Sequence, residues 1–257
     1  MKLLTATSIL AIALTASTGA LAYDLDHPFF GPAKGQFVSD TAYSFERSHS
    51  KDKEADEKMT EWGQTVSEKV SFGITDNWTV SVSGDRNWAK GKYVGDYAAH
   101  EKGAEWDIGT TYNIVNDGRA FVQLGGFYGQ VTDPVTKALR VTGMAGYNFD
   151  FITPYMQIGW TRPVNWGHDN HNMFDAFVGV YKKFVPQFSA SAGFNFEKYD
   201  YQNRLKNVGL EGTLNYLVTK NVNLRLNAAT LLKEKTKYFA DETRGSFELG
   251  ASVQVAF

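Results

Sequence analysis

The chain has 257 residues, with 26 basic and 28 acidic side chains and no cysteine. Without cysteine it has neither a disulfide framework nor a thiolate that binds metal or acts as a nucleophile. The formal net charge of −2 lacks the basic excess expected of a nucleic-acid-binding surface, so we expect no nucleic-acid partner. With 18 Phe, 13 Tyr, 6 Trp, 24 Gly and only 6 Pro, the composition favours strands over helices or disorder.

Residues 1–22 have the layout of a secretory signal peptide. Lys2 forms a short positive region, an apolar run extends to about residue 14, and "ALA" at 20–22 is a small-residue cleavage site. The run is shorter than the roughly 20 apolar residues that a transmembrane helix needs, and no other stretch approaches that length. We therefore expect export, cleavage after Ala22 and a single mature domain over residues 23–257.

The mature chain begins with a segment that does not alternate, residues 23–35, which we call the leader. Its sequence "YDLDHPFFGPAKG" contains two prolines and the pair Phe29 and Phe30. The leader is predicted to lie on the periplasmic side, either tucked into the mouth of a barrel or as an ordered segment outside it.

From residue 41 onward, apolar and polar residues alternate in twelve segments, which is the pattern of strands with one apolar face. The first six segments are TAYSF (41–45), EWGQTVSEKVSFGIT (61–75), NWTVSVSGD (77–85), AEWDIGTTYNI (104–114), AFVQLGGFYG (120–129) and LRVTGMAGYNF (139–149). The last six are TPYMQIGW (153–160), FDAFVGVY (174–181), and residues 188–196, 208–216, 222–228 and 247–257. Short turns alternate with longer polar loops between them, as in an antiparallel transmembrane β-barrel with periplasmic turns and external loops.

Aromatic residues support this assignment. Trp62, Trp106 and Trp160 fall at the predicted outer ends of their strands, and Trp78 and Tyr147 fall near the predicted periplasmic turns. Two aromatic girdles are typical of membrane barrels. The sequence therefore predicts an all-β fold, a 12-stranded antiparallel transmembrane barrel.

The C-terminus carries a resemblance to a known class. The chain ends on Phe257, preceded at alternate positions by Val255 and Val253. This ending resembles that of Gram-negative outer-membrane β-barrel proteins of the porin-like class, and the signal that the barrel assembly machinery recognises. The resemblance implies a location in the outer membrane, surrounding lipids and lipopolysaccharide, and assembly by that machinery. The alternative is a secreted soluble β-sandwich, which also has regular short strands.

The neighbours of the apolar residues are predicted to face the lumen, and they are polar. Charges of both signs lie at the strand middles, and the candidate pore-lining residues are Lys69, Asp107, Arg140, Asp175, Glu211 and Arg225. These charges, with Asp40 and Glu248, predict either a salt-bridged plug or a pore whose net acidic wall favours cations and uncharged polar solutes. Gly146 and Gly159 also point inward and would leave room.

Glu68 does not fit this scheme. It lies at a lipid-facing position between Val66 and Val70, where a carboxylate is expensive. A β-bulge that resets the register, or a neighbouring subunit, would resolve the conflict, as would an error in the strand count.

Candidate chemistry is limited to histidine-bearing loops. The segment "GHDNHNMFD" places His168 and His171 near Asp175, and imidazole with carboxylate suits zinc or nickel. The spacing matches no specific metal signature, so a solvated loop is the expected reading and no cofactor is predicted. His49 and His100 are predicted to lie in loops. No histidine is predicted within a strand beside Ser or Asp, which argues against an enzyme and leaves a loop-built hydrolase as the only catalytic alternative.

The function that the sequence favours is passive passage of small polar solutes or ions through a narrow channel. The alternative is a closed barrel that acts through external loops in adhesion or envelope structure. The first of these, residues 47–60, is predicted to be a solvated, mobile loop, and contact of its lysines with lipopolysaccharide phosphates is an unspecific alternative.

Overall fold

The computed structural model describes residues 25–52, 57–93, 98–132, 135–164, 172–199, 206–235 and 245–257. The predicted signal peptide lies outside these ranges. In the described part of the chain, no helix has the length and apolar character needed to span a membrane.

The described residues form twelve strands in one closed antiparallel sheet, which confirms the predicted barrel. Each strand pairs with its neighbours in sequence, and β1 pairs with β12. The strands are Phe37–Asp52 (β1), Glu57–Thr75 (β2), Trp78–Tyr93 (β3), Ala98–Asn116 (β4), Ala120–Thr132 (β5), Val135–Tyr147 (β6), Thr153–Pro163 (β7), Met173–Val185 (β8), Phe188–Tyr199 (β9), Lys206–Thr219 (β10), Val222–Lys235 (β11) and Gly245–Ala256 (β12).

The C-terminal Phe257 lies at the closure of the barrel. Its backbone exchanges two hydrogen bonds with Phe37, at 2.8 Å and 2.9 Å, and the two rings stack with centroids 6.0 Å apart. Because β12 pairs with both β1 and β11, the last strand has no free edge to template aggregation.

The two ends of the barrel differ in their connections. At one end, which we call the turn end, residues 76–77, 117–119, 148–152, 186–187 and 220–221 join the strands, and the barrel begins and finishes there. At the other end, the loop end, β1, β3, β7 and β11 finish and β2, β4, β8 and β12 begin.

Several strands are longer than predicted. β1 and β2 extend through most of residues 47–60, and β3 and β4 extend through most of residues 85–103, both of which the sequence analysis placed in loops. His49 and His100 therefore lie in β1 and β4, so their assignment to loops was wrong. Continued pairing of these hairpins satisfies backbone N–H and C=O groups that a loop would leave to water. This backbone pairing does not depend on side-chain polarity, so these strand ends accommodate charged residues on both faces of the sheet.

The barrel carries its apolar residues on the outside. Leu226, Val82 and Ile158 are more than half exposed, although each stands in the middle of a strand. Inward neighbours such as Ser81, Asn215 and Ser252 are buried and polar. A continuous exposed apolar surface of this kind matches a lipid surrounding much better than water.

Candidate functional site: the barrel lumen

The lumen contains a cavity of about 1030 Å³ bounded by inward-facing side chains of the strands and by the leader. Of the candidate pore-lining residues, Lys69, Asp107, Arg140 and Arg225 line this cavity. Asp175 also faces inward, since its carboxylate lies against the inner side of Gly159. Glu211 also faces inward, because it alternates along β10 with outward residues such as Leu210 and Leu214.

Arg140 and Asp175 form an ion pair along the wall. Arg140 Nη2 donates to Asp175 Oδ2 at 2.8 Å, although the two residues lie on β6 and β8. The pair bridges over β7 at Gly159, where an added Cβ would lie only 2.3 Å from the Asp175 carboxylate. The room predicted at Gly159 therefore serves this bridge.

Arg225 and Asp40 make a second ion pair of the same kind. The guanidinium of Arg225 on β11 reaches Asp40 on β1, and its Nε donates to Ser252 Oγ on the intervening strand at 3.0 Å. Both pairs thus join strands that are two apart instead of crossing the lumen. Because each arginine is neutralised by a carboxylate on the same part of the wall, neither ion pair extends across the cavity.

The part of the wall between the two ion pairs, on β3 and β4, is acidic. Asp85 and Glu105 are register partners on β3 and β4, and Asp107 is the next inward residue along β4. Ser83 Oγ donates a hydrogen bond to Asp107, which holds that carboxylate against the wall. We call Asp85, Glu105 and Asp107 the acidic wall. Among the described lining residues, Lys69 is the basic residue outside the two ion pairs.

Asp85 and Glu105 are missing from the sequence-based set of lumen residues. Asp85 was assigned to the end of its strand, and Glu105 was not selected although it has the same parity as Asp107. Extending the alternation past Gly84 would have found Asp85, because Ser81 and Ser83 precede it on the inward face.

Two inward phenylalanine rings lie over glycines of the lumen wall. Phe127 points inward from β5, and its ring lies over Gly109 and Gly125, where added Cβ atoms would fall 2.1 Å and 2.9 Å from ring carbons. Phe177 lies in the same way over Gly179 and Gly193, and its ring centroid is 5.3 Å from that of Tyr155. The glycines let these rings lie flat against the wall, so they narrow the lumen less than upright rings would.

The leader occupies the turn end of the lumen. Phe29 is 2% exposed, stacks on Phe121 with centroids 4.9 Å apart, and lies against Gly146, where a Cβ would be 2.8 Å from its ring. On the other side of the mouth, Leu25 packs in a buried cluster with Val38 and other inward residues near the turn end. The room predicted at Gly146 is filled by Phe29.

Polar contacts also hold the leader in place. The Asp26 side chain is fully buried. Its carboxylate accepts a hydrogen bond from Tyr181 Oη at 3.0 Å and lies 3.6 Å from Lys183 Nζ. The His27 ring lies 5.0 Å from Phe121 and 5.1 Å from Tyr181. Because residues of β1, β5, β6 and β8 contact the leader, its described residues are packed as part of the folded barrel.

The predicted metal candidates among the histidines are not tested by the described residues. His168 and His171 lie outside the described residues. Within the described ranges, no group of three or more His, Asp or Glu side chains is placed to hold a metal ion. His49 Nδ1 lies 3.0 Å from Thr60 Oγ1, at the loop end of the first hairpin.

Comparison with known proteins identifies the fold class. No protein-family model and no curated protein matches the sequence. An outer-membrane channel from Pseudomonas putida has a similar structure, with a TM-score of 0.68, 10% identity, and coverage of 90% of this chain and 98% of that one. The translocator domain of the autotransporter NalP from Neisseria meningitidis gives a TM-score of 0.57 at 9% identity, covering 91% of each chain. The NanC porin gives 0.52 at 11% identity, covering 82% of this chain and 98% of the porin.

These likenesses define the architecture of the chain. Porins and autotransporter barrels share the closed antiparallel sheet, so the resemblance to porin-like outer-membrane barrels is confirmed. At identities near 10% they carry the fold alone, because one barrel fold hosts unrelated functions. The role of this chain must therefore be argued from its own lumen.

Proposed function

We propose that the chain is an outer-membrane channel for passive passage of small cations and uncharged polar solutes. The observation that carries this proposal is the acidic wall, since Asp85, Glu105 and Asp107 face a water-accessible cavity while Arg140 and Arg225 are neutralised along the wall. Carboxylates lining a pore concentrate cations and repel anions. In the orientation that we propose for the outer membrane, the turn end faces the periplasm and the cavity opens toward the outside.

A closed barrel that acts through external structures is the second candidate, and the leader favours it. Phe29 and Leu25 close the turn end with buried apolar contacts. Displacing them exposes apolar surface to water, which is unfavourable. Under the channel proposal, solutes pass beside the leader or when it moves; under the alternative, the seal is permanent.

Reversal-potential measurements in planar bilayers under a KCl gradient distinguish the two candidates. We expect the refolded mature chain, verified by heat-dependent gel migration, to give discrete current steps and a cation-selective potential. The variant D85N/E105Q/D107N should move the potential toward zero, because it removes the acidic wall. Asp117, in the turn between β4 and β5, offers a matched control, since D117N changes one carboxylate outside the strands.

Two outcomes contradict the channel proposal. A folded barrel without current would favour the closed barrel. Current steps whose selectivity is the same in D85N/E105Q/D107N and in the wild type would mean that the acidic wall does not face the permeation path.

A further inference from the structure

Glu68 remains on the outer face of the barrel in the folded structure. The register shift between β2 and β3 lies between Gly73 and Thr75, on the turn side of Glu68. From Phe72 to Met59 the pairing is continuous, and Val66 and Val70 on either side of Glu68 are exposed. A β-bulge therefore does not turn this carboxylate inward.

The pairing register places Glu68 within the apolar band. One continuous row of cross-strand partners runs from Phe188 at the turn end of β9 to Trp106 on β4, and Glu68 belongs to it. Glu68 is five strands along this row from β9. With strands about 4.8 Å apart and tilted about 40°, that is a rise of roughly 15 Å within a band about 25 Å tall.

Two hydroxyl groups of β1 contact the Glu68 carboxylate. Ser39 Oγ donates to Oε1 at 2.6 Å, and Thr41 Oγ1 donates to Oε2. These hydrogen bonds orient the carboxylate but supply no opposite charge. An ionised carboxylate at this depth is costly unless it is paired.

The surface next to Glu68 is suited to receive another side chain. Gly84, its register partner on β3, bears no side chain and leaves a recess between Glu68 and Trp106. Arg86 is the next outward residue toward the loop end, with its guanidinium 5.6 Å from the centre of the Trp88 ring. Ser39, Thr41, Glu68, Gly84 and Arg86 together form what we call the β1–β3 patch.

The opposite side of the barrel has no such patch among its described residues. Across β6 to β9, the outward positions between the aromatic girdles carry apolar residues or glycine, as at Val141, Ile158 and Val178. The outer face therefore carries the Glu68 and Arg86 charges within its apolar band on β2 and β3 and no such charges at the corresponding described positions of β6 to β9, as a protein contact would require and a uniform lipid contact would not.

We propose that the β1–β3 patch is the interface with a second copy of this chain. In a two-fold dimer with its axis along the membrane normal, the same patch meets itself and each residue contact occurs twice. The patch carries an acid and a base at neighbouring depths, so Glu68 of each copy faces Arg86 of the other. A lipid phosphate would match Arg86 alone and leave Glu68 without a counter-charge.

Single-cysteine cross-linking tests this contact, because the natural chain has no cysteine. Val66 lies beside Glu68 on the outer face, and Val178 is a matched outward valine on β8. In outer membranes, V66C should form a disulfide-linked dimer of the chain and V178C should not. A monomer in both variants, equal cross-linking in both, or linkage of V66C only to a different protein would overturn the proposal.

Charge exchange tests the pairing itself. E68R and R86E should each weaken dimerisation at least about tenfold in mild detergent, because they place like charges together, and E68R/R86E should restore it. E68L provides a folding control, since it removes a costly charge from the lipid face and should leave a heat-modifiable monomeric barrel. Dimers that persist in E68R and E68L would overturn the assignment. This oligomer readout needs no current, so its outcome is independent of the channel proposal.

Discussion

The two ends of the lumen are built on different physical principles, although the same inward parity of the strands supplies both. At the turn end, Phe29 and Leu25 of the leader are packed like side chains of a soluble core. On the loop-end side of the leader, the acidic wall and two ion pairs surround a polar cavity. Under the channel proposal, this difference predicts that resistance to flow and selectivity are separable, the first depending on the leader and the second on the charges.

The largest expected effect comes from removing the seal. A mature chain lacking residues 23–35 should conduct at least severalfold more current than the intact chain, because the turn end loses Phe29 and its contacts. F29A should move in the same direction and destabilise the barrel by about 3 kcal/mol, the lower end for a buried Phe replaced by Ala. Single-channel conductance and urea unfolding measure the two effects. Unchanged conductance in both variants would mean that the leader does not restrict flow.

Breaking an ion pair of the wall should cost less. D40N removes the carboxylate that faces Arg225, whose side chain is 26% exposed. Partial exposure screens the remaining charge, so we expect a loss of about 1 to 2 kcal/mol in place of the larger cost of a fully buried pair. The channel should also become less cation-selective. Urea unfolding with unchanged stability would show that Ser252 and water satisfy Arg225 without Asp40.

Two inward glycines offer a matched pair of changes that each add a single methyl group. A Cβ at Gly146 meets the Phe29 ring at 2.8 Å, and a Cβ at Gly159 meets the Asp175 carboxylate at 2.3 Å. G146A should loosen the leader and raise conductance with little change in selectivity, whereas G159A should disturb Arg140 and alter selectivity first. Each overpacked site should cost about 1 to 3 kcal/mol. The same electrical phenotype in both variants would contradict the separation of seal and selectivity.

The smallest effect is expected outside the lumen, at Asp117. Backbone N–H groups of Ala120 and Arg119 donate to its carboxylate at 2.7 Å and 2.9 Å, and these bonds lower the pKa of Asp117. Because the folded state favours the ionised form, this contribution to stability is present above the ordinary pKa of Asp and is lost as the pH falls through the lowered value. D117N should remove this acid-dependent part of the urea midpoint and leave conductance unchanged. A wild-type midpoint with the same acid dependence as D117N would contradict it.

Particular residues show how far local pattern reaches. Alternation placed Lys69, Arg140 and Arg225 toward the lumen, and the terminal Phe257 indicated closure with the first strand. The lengths of the β1–β2 and β3–β4 hairpins were underestimated, because hydropathy alone does not distinguish a charged strand, such as those within residues 47–60, from a polar loop. Glu68 was correctly seen as an exception, but its hydrogen bonds from Ser39 and Thr41 depend on strand register.

Alternation and turn residues predict the strands, their two faces and the closed barrel, because the two-residue side-chain period and the turn signals are local properties of the chain. Which charges neutralise each other, and which residues fill the turn end of the lumen, depends on the folded barrel. Arg140 meets Asp175, and Phe29 meets Phe121 and Gly146, across strands that are distant in sequence. Such contacts follow from barrel register and closure, which bring together residues that no local pattern relates.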